Sequence, residues 1–236
     1  MPVLLDARPY GSDRDQYMLA HYARYFAPLV DREIRLLEIG VGGGGSLRFW
    51  ADYFPLGRIV GLDMAPVDLR DGSGRISVYR GLQQDVDLLT RVALECAPEG
   101  FDIIIDDASH IGACTRISFW HLLTRHLKAG GVFAIEDWGT GYWDAWPDGR
   151  RCITTRDSSL NPEAGSADAT EFPSHVAGLV GVIKEIVDEV GMYDLSRTGP
   201  GTTPTRLSRI DRLEILPGLA FVTRATDNLS AQNPTS

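Results

Sequence analysis

Apolar residues fall along this chain in two periods. In residues 13–29 (DRDQYMLAHYARYFAPL) apolar and aromatic side chains stand at 17, 18, 22, 25 and 26, the stripe of an amphipathic helix, with Asp13 as a candidate N-cap. Short apolar runs at 35–40 (RLLEIG), 58–63 (RIVGLD), 76–80 (ISVYR), 101–106 (FDIIID) and 132–136 (VFAIE) read as strands. The isoleucines of 101–106 indicate a strand buried on both faces. Helical stretches separate these runs: 46–53, 85–96 and 114–127, the last stopped by Ala129-Gly130-Gly131. Such alternation predicts an α/β fold, a mostly parallel sheet with helices on both faces. After Glu136 the pattern breaks. Residues 138–149 are rich in Trp, Tyr, Gly and Asp, and 154–174 read as a polar loop or lid. Residues 175–190 return to helix, and 207–224 read as two strands folded about Pro217-Gly218 into an antiparallel hairpin. The last twelve residues form a polar tail.

Composition narrows the function. The 236 residues carry 23 Lys+Arg against 32 Asp+Glu, a net charge of −9, which argues against a general nucleic-acid or anionic-membrane binder. Apolar content of 44% and charged content of 23% are those of a globular protein. Length and pattern predict one domain over residues 1–224, with an N-terminal helix in 10–30, a substrate lid in 138–174 and a flexible tail in 225–236. Three cysteines (Cys96, Cys114, Cys152) without paired spacing fit a reducing compartment. The N-terminus is broken by acids and arginines where a secretory signal needs an apolar run, and no stretch approaches the roughly 20 apolar residues of a membrane span. The expectation is a soluble, cytoplasmic protein, and aromatic residues on the first helix suggest a homodimer.

Of the 25 glycines, five lie within residues 40–45. LEIGVGGGGS joins a strand to a helix, where glycine lets the backbone turn sharply and a ligand approach closely. The helix start then offers free N–H groups to that ligand. Asp63 ends the second strand, the position from which an acid grips ribose hydroxyls. Two patterns overlap here: G-x-G-x-x-G (Gly40, Gly42, Gly45), the dinucleotide fingerprint, and acid-x-G-x-G-x-G (Glu38, Gly40, Gly42, Gly44), which resembles motif I of S-adenosylmethionine-dependent methyltransferases. The loop marks a nucleoside cofactor without choosing between them.

IIIDDASH (103–110) and AIEDW (134–138) each place carboxylates at the carboxyl end of an apolar strand, the edge where open α/β sheets bind ligands. Neighbouring strand tips lie about 5 Å apart, so Asp107, Glu136 and Asp137 can converge on one hard cation. Carboxylates without a Cys or His ligand pattern suit Mg²⁺ or Mn²⁺. Asp106 and Asp107 point in different directions, which leaves Asp106 to face the cofactor. His110, at the same rim, is a candidate general base. Any one of these acids can instead cap a helix or begin a turn, but two unpaired acid doublets at one edge would repel each other without a cation. Beyond them, WGTGYWDAW (138–146) supplies aromatic faces able to pack on a sugar, with Tyr142 and Trp143 the expected substrate contacts. Tyr10-Gly11-Ser12-Asp13 is placed to close over the cofactor.

Taken in order, YGSDRDQYMLAHYARYF, LLEIGVGGGGSLRFW, IVGLD, GLQQD, IIIDDASH and AIEDWGTGYW resemble the metal-dependent sugar O-methyltransferases. That family includes the macrolide-sugar (mycinamicin and macrocin type) enzymes, the related cephalosporin-hydroxylase-like proteins, and a short single-domain member acting on mannosides that is similar to this chain in size. The resemblance covers roughly residues 10–145 and the terminal hairpin. It implies a Rossmann-like class I methyltransferase fold, a mostly parallel seven-stranded sheet ending in an antiparallel hairpin. It implies S-adenosylmethionine and Mg²⁺ as cofactors, with Asp107, Glu136 and Asp137 as metal ligands and His110 as base. Gly40, Gly42 and Ser46 match the loop that holds the methionine moiety, Asp63 the ribose acid, and Gln83 with Asp85 the adenine region, where Leu82 stands in place of the family's frequent acid. The implied acceptor is a small-molecule glycoside or oligosaccharide, with no nucleic acid or membrane partner. The competing readings are a nicotinamide-dependent oxidoreductase, a hydroxylase-like or catechol-type enzyme, and a non-catalytic binding protein.

Overall fold

The computed structural model describes residues 6–150, 176–192 and 208–226. Seven strands, β1 (Arg35–Ile39), β2 (Arg58–Asp63), β3 (Ile76–Arg80), β4 (Phe101–Asp106), β5 (Leu127–Glu136), β6 (Ile210–Leu216) and β7 (Leu219–Arg224), form one sheet in the order β3-β2-β1-β4-β5-β7-β6. Strands β1 to β5 pair parallel, while β7 runs antiparallel to both β5 and β6. α-Helices accompany them: α1 (Gln16–Phe26), α2 (Gly45–Tyr53), α3 (Val86–Cys96), α4 (Gly112–Arg125) and α5 (Gly178–Gly191), and residues 147–150 are also helical. Both the parallel sheet and the closing hairpin agree with the expected architecture. The loop expected at 154–174, and all of the tail at 225–236 but its first two residues, lie outside the described residues.

Alternation along the strands sorts the core into two layers. Leu37, Ile39, Val60, Leu62, Ile104, Phe133 and Ile135 face one side and pack on α3, α4 and α5. Leu36, Ile59, Ile103, Ile105, Val132 and Ala134 face the other and pack on α1 and α2. A strand buried on both faces cannot show a polar–apolar alternation, which is why these runs read as continuously apolar.

Three local expectations need correction. Helix α1 starts from Asp15, whose carboxylate accepts a 2.8 Å bond from the Met18 N–H, and not from Asp13. Residues 12–15 run without a helical turn, so Asp13 is left to line a cavity. Ala129-Gly130-Gly131 does not stop a helix: α4 ends at Arg125, and the glycines lie inside β5, which starts at Leu127. Gly130 adopts φ +74 beside a register irregularity between β4 and β5, a place where glycine accommodates a bulge. The aromatic residues of α1 also serve the core: Tyr22 and Phe26 are fully buried and Tyr25 stacks on Phe221, leaving Tyr17 exposed. Of the first-helix aromatics expected to support a homodimer, Tyr17 is the one on the surface.

Candidate active site

The carboxyl ends of β1, β2, β4 and β5 open onto a cavity of about 740 Å³, within the range typical of small-molecule sites. Its floor is the loop after β1. Gly40, Gly42 and Gly44 all take positive φ (+83, +48 and +77), a region that favours glycine. At Gly40 space adds a second demand, because a Cβ there would overlap the Asp107 carbonyl oxygen. Gly40→Ala is therefore expected to weaken nucleoside binding by at least about tenfold, since left-handed strain alone costs about 1–2 kcal/mol; titration calorimetry of the variant checks this. Asp63 secures the loop from β2: its Oδ2 accepts from the N–H groups of Val41 and Gly42, each at 3.0 Å. Ser46 lines the same wall in the first turn of α2.

Strand parity decides what the acids do. Glu38, Asp107 and Glu136 follow Leu36, Ile105 and Ala134 on the α1/α2 side of the sheet, and β1, β4 and β5 are neighbours. Between the three carboxylates lies the guanidinium of Arg14. It donates to Glu38 Oε1 at 2.7 Å, Glu136 Oε1 at 2.8 Å and Asp107 Oδ2 at 3.2 Å. Tyr22 adds its hydroxyl to Glu136 Oε1 at 2.5 Å. Burial disfavours the charge on Arg14, but the carboxylates more than offset it and hold the side chain protonated. Burial raises Glu38, and burial together with the Glu136 charge pushes Asp107 up to about 9.

Asp106 has the opposite parity and enters the α3/α4 layer. Gln83 Nε2 donates to both its oxygens, at 3.2 and 3.1 Å, and Ser118 to Oδ2 at 3.3 Å. It is 2% exposed and is not on the cavity wall, so it positions Gln83, which is. Gln83 in turn accepts from the Ser109 N–H at 3.1 Å. Asp85 lies away from the cavity as the N-cap of α3, accepting from Leu88 N–H.

Asp107 shares its other oxygen with the rim. His110 Nε2 stands 3.8 Å from both Asp107 Oδ1 and Asp137 Oδ2, and donor atoms of these three residues lie within 4.8 Å of one another. His110 and Asp137 are the only described non-glycine residues with positive φ, both at +52. The strained backbone turns their side chains toward each other. The hairpin turn helps fix Asp137, whose N–H donates to the Gly218 carbonyl at 2.7 Å. Glu136 is not among these three donors; Arg14 and Tyr22 hold its Oε1. The two carboxylate oxygens suit a hard divalent cation, with the imidazole nitrogen left beside it as a base. A nucleoside fits the rest: Met64 and Leu82, strongly exposed apolar side chains on the wall, offer a surface for a flat ring.

The aromatic stretch behaves differently from expectation. Tyr142 packs on Trp138, and neither Tyr142 nor Trp143 lines the cavity; Trp143 is 55% exposed. Trp146 is the ring that enters, its centroid 5.2 Å from that of His110 in an edge contact. Asp148 holds this segment in place. Its Oδ2 accepts from Gly112 N–H at 2.7 Å and Leu179 N–H at 2.9 Å, capping α4 and α5 together.

Known proteins extend this geometry. The chain is 35% identical over 216 residues (88% of its length, 48% of the relative) to mycinamicin VI 2''-O-methyltransferase of Micromonospora griseorubida. It is 40% identical over 182 residues (72% and 46%) to L-olivosyl-oleandolide 3-O-methyltransferase of Streptomyces antibioticus. The other relatives it matches are likewise O-methyltransferases, among them demethylmacrocin O-methyltransferase of Streptomyces fradiae. Among solved structures, the MycE methyltransferase of the mycinamycin pathway in complex with Mg and SAH superposes with TM-score 0.75 at 31% identity, over 95% of this chain and 55% of that one. A further MycE structure, with Mg, SAH and mycinamycin VI, gives TM-score 0.72 at 32% identity, over 95% and 54%. The fold of this chain is thus shared with about half of the MycE methyltransferase chain. No family model matches the chain, and it spans about half the length of the curated relatives it matches. Among the described residues no helix is long and apolar enough to cross a membrane.

Proposed function

We propose that the chain is an S-adenosylmethionine- and Mg²⁺-dependent O-methyltransferase acting on a sugar hydroxyl of a small-molecule glycoside or oligosaccharide, mannosides included. One observation carries this reading. A mostly buried imidazole stands 3.8 Å from two carboxylates, on the same cavity as a glycine loop built for close approach. The relatives named above are O-methyltransferases of mycinamicin VI and L-olivosyl-oleandolide, and a solved relative holds Mg and SAH. Sparse cysteines without paired spacing support a cytoplasmic setting.

The chain's own residues divide the work. The glycine loop, Ser46 and Asp63 would hold the nucleoside donor, with Gln83 beside Met64 and Leu82 at its base end. Asp107 and Asp137 would hold the cation, with Glu136 brought in by its free oxygen. A divalent cation at that place supplies Lewis-acid charge that orients adjacent substrate oxygens and eases loss of a hydroxyl proton. His110 Nε2 is positioned to take that proton. Trp146 covers the imidazole and offers an aromatic edge to the acceptor. Holding hydroxyl and methyl group in line accounts for much of the remaining acceleration.

Trp146→Ala is expected to raise the acceptor KM about 5–10-fold, the scale of one aromatic contact, while leaving cofactor affinity unchanged; steady-state kinetics with saturating donor reads this directly. The competing nicotinamide reading is separated by calorimetry. S-adenosylhomocysteine should bind and NAD should not, whereas binding of NAD alone would overturn the proposal.

A further inference from the structure

The sequence assigns Arg14 no role, yet its guanidinium bonds three carboxylates at the site. It ends the segment Tyr10–Arg14, all five residues of which line the cavity. The segment is seated on α2: the Tyr10 hydroxyl donates to Asp52 Oδ2 at 2.8 Å, and its ring packs edge-on against Phe49. Only glycine at position 45 lets the Tyr10 carbonyl lie so close, because a Cβ there would overlap it. From this anchored segment the Arg14 guanidinium reaches inward, 3% exposed, to Glu38 below the glycine loop and to Asp107 and Glu136 at the sheet edge. It also lies over the Trp50 ring at 5.8 Å.

Resting on the function proposed above, we propose that Arg14 is a positioning residue that couples the cofactor subsite to the metal subsite. Each half of the coupling has its own bond. The Glu38 contact fixes Arg14 relative to the strand that feeds the glycine loop. The Asp107 and Glu136 contacts fix one oxygen of each acid, so that the other is left for a cation. A ligand that packs against Tyr10–Arg14 steadies the guanidinium and with it both carboxylates. The donor analogue should therefore tighten Mg²⁺ binding, and Mg²⁺ should tighten the analogue by the same factor, as linkage requires. Lysine cannot replace this function, since a single ammonium lacks the planar fork that serves three carboxylates at once.

The test is Mg²⁺ titration by calorimetry, with and without saturating S-adenosylhomocysteine, on the native chain and on Arg14→Lys. The native chain should bind Mg²⁺ about 5-fold or more tightly with the analogue present, the lower end of usual coupling. In R14K the two affinities for Mg²⁺ should agree within about 2-fold, with each ligand still binding alone. Retention of the native coupling in R14K would overturn the proposal. If R14K fails to give a cooperative thermal melt, Tyr10→Ala serves instead: it frees the segment from α2 and leaves Arg14 among its acids. Reduced coupling with unchanged Mg²⁺ affinity in the absence of the analogue is then expected, and full coupling would contradict it. Failure of the native chain to bind either ligand would sink the functional reading itself, an outcome distinct from loss of coupling alone.

Discussion

His110→Asn should cut methyl transfer by about 10²–10⁴-fold, the usual worth of a positioned general base, and leave S-adenosylhomocysteine binding intact. Asparagine is the informative replacement. It tolerates the left-handed backbone that position 110 adopts, so the turn between β4 and α4 survives while the imidazole is lost. His110 is 9% exposed and faces both Asp107 and Asp137. Among the described residues no other histidine lines the cavity. Unchanged turnover in the variant would remove His110 from the base role.

Loss of the cation should be equally severe. Treatment with EDTA is expected to abolish turnover, and added Mg²⁺ to restore it. Asp137→Asn should reproduce the loss without a chelator. It keeps the left-handed backbone and the bond to Gly218, but removes the charge that faces His110. Removing a residue that merely supports a metal ligand typically costs 10–100-fold in metal affinity or activity, so removing a ligand should cost at least about 100-fold. Full activity in chelator, with D137N as active as the native chain, would refute metal dependence.

Much of this site could be read from the sequence because it rests on strand ends. LEIG, IIIDD and AIED each announce a buried strand that finishes in polar residues, and parallel pairing brings those ends to one edge. The same parity that sends Asp106 into the α3/α4 layer puts Glu38, Asp107 and Glu136 on the opposite face of adjacent strands. That grouping predicts a buried cation between them, and Arg14 supplies it. Arg14 escaped notice because it precedes the first helix and takes no part in the stripe.

Asp85, Tyr142 and Trp143 lie off the cavity for reasons of a different kind. Asp85 satisfies the orphan N–H of Leu88, a local bond that competes with any distant role. The aromatic stretch has no period, so nothing in WGTGYWDAW distinguishes Trp146 from Tyr142 or Trp143. The choice is made by Asp148, which ties the segment to the starts of α4 and α5 across 36 and 31 residues of sequence.

The central claim is methyl transfer to a sugar, and labelled methyl donor tests it most directly. The protein is incubated with S-adenosylmethionine carrying a labelled methyl group and a panel of glycosides, mannosides and rhamnosides among them, with and without Mg²⁺. The account predicts label on a hydroxyl oxygen of at least one glycoside, only when Mg²⁺ is present and lost in H110N. Label transferred without a divalent cation, or no transfer to any glycoside by protein that binds both donor and Mg²⁺, would contradict it.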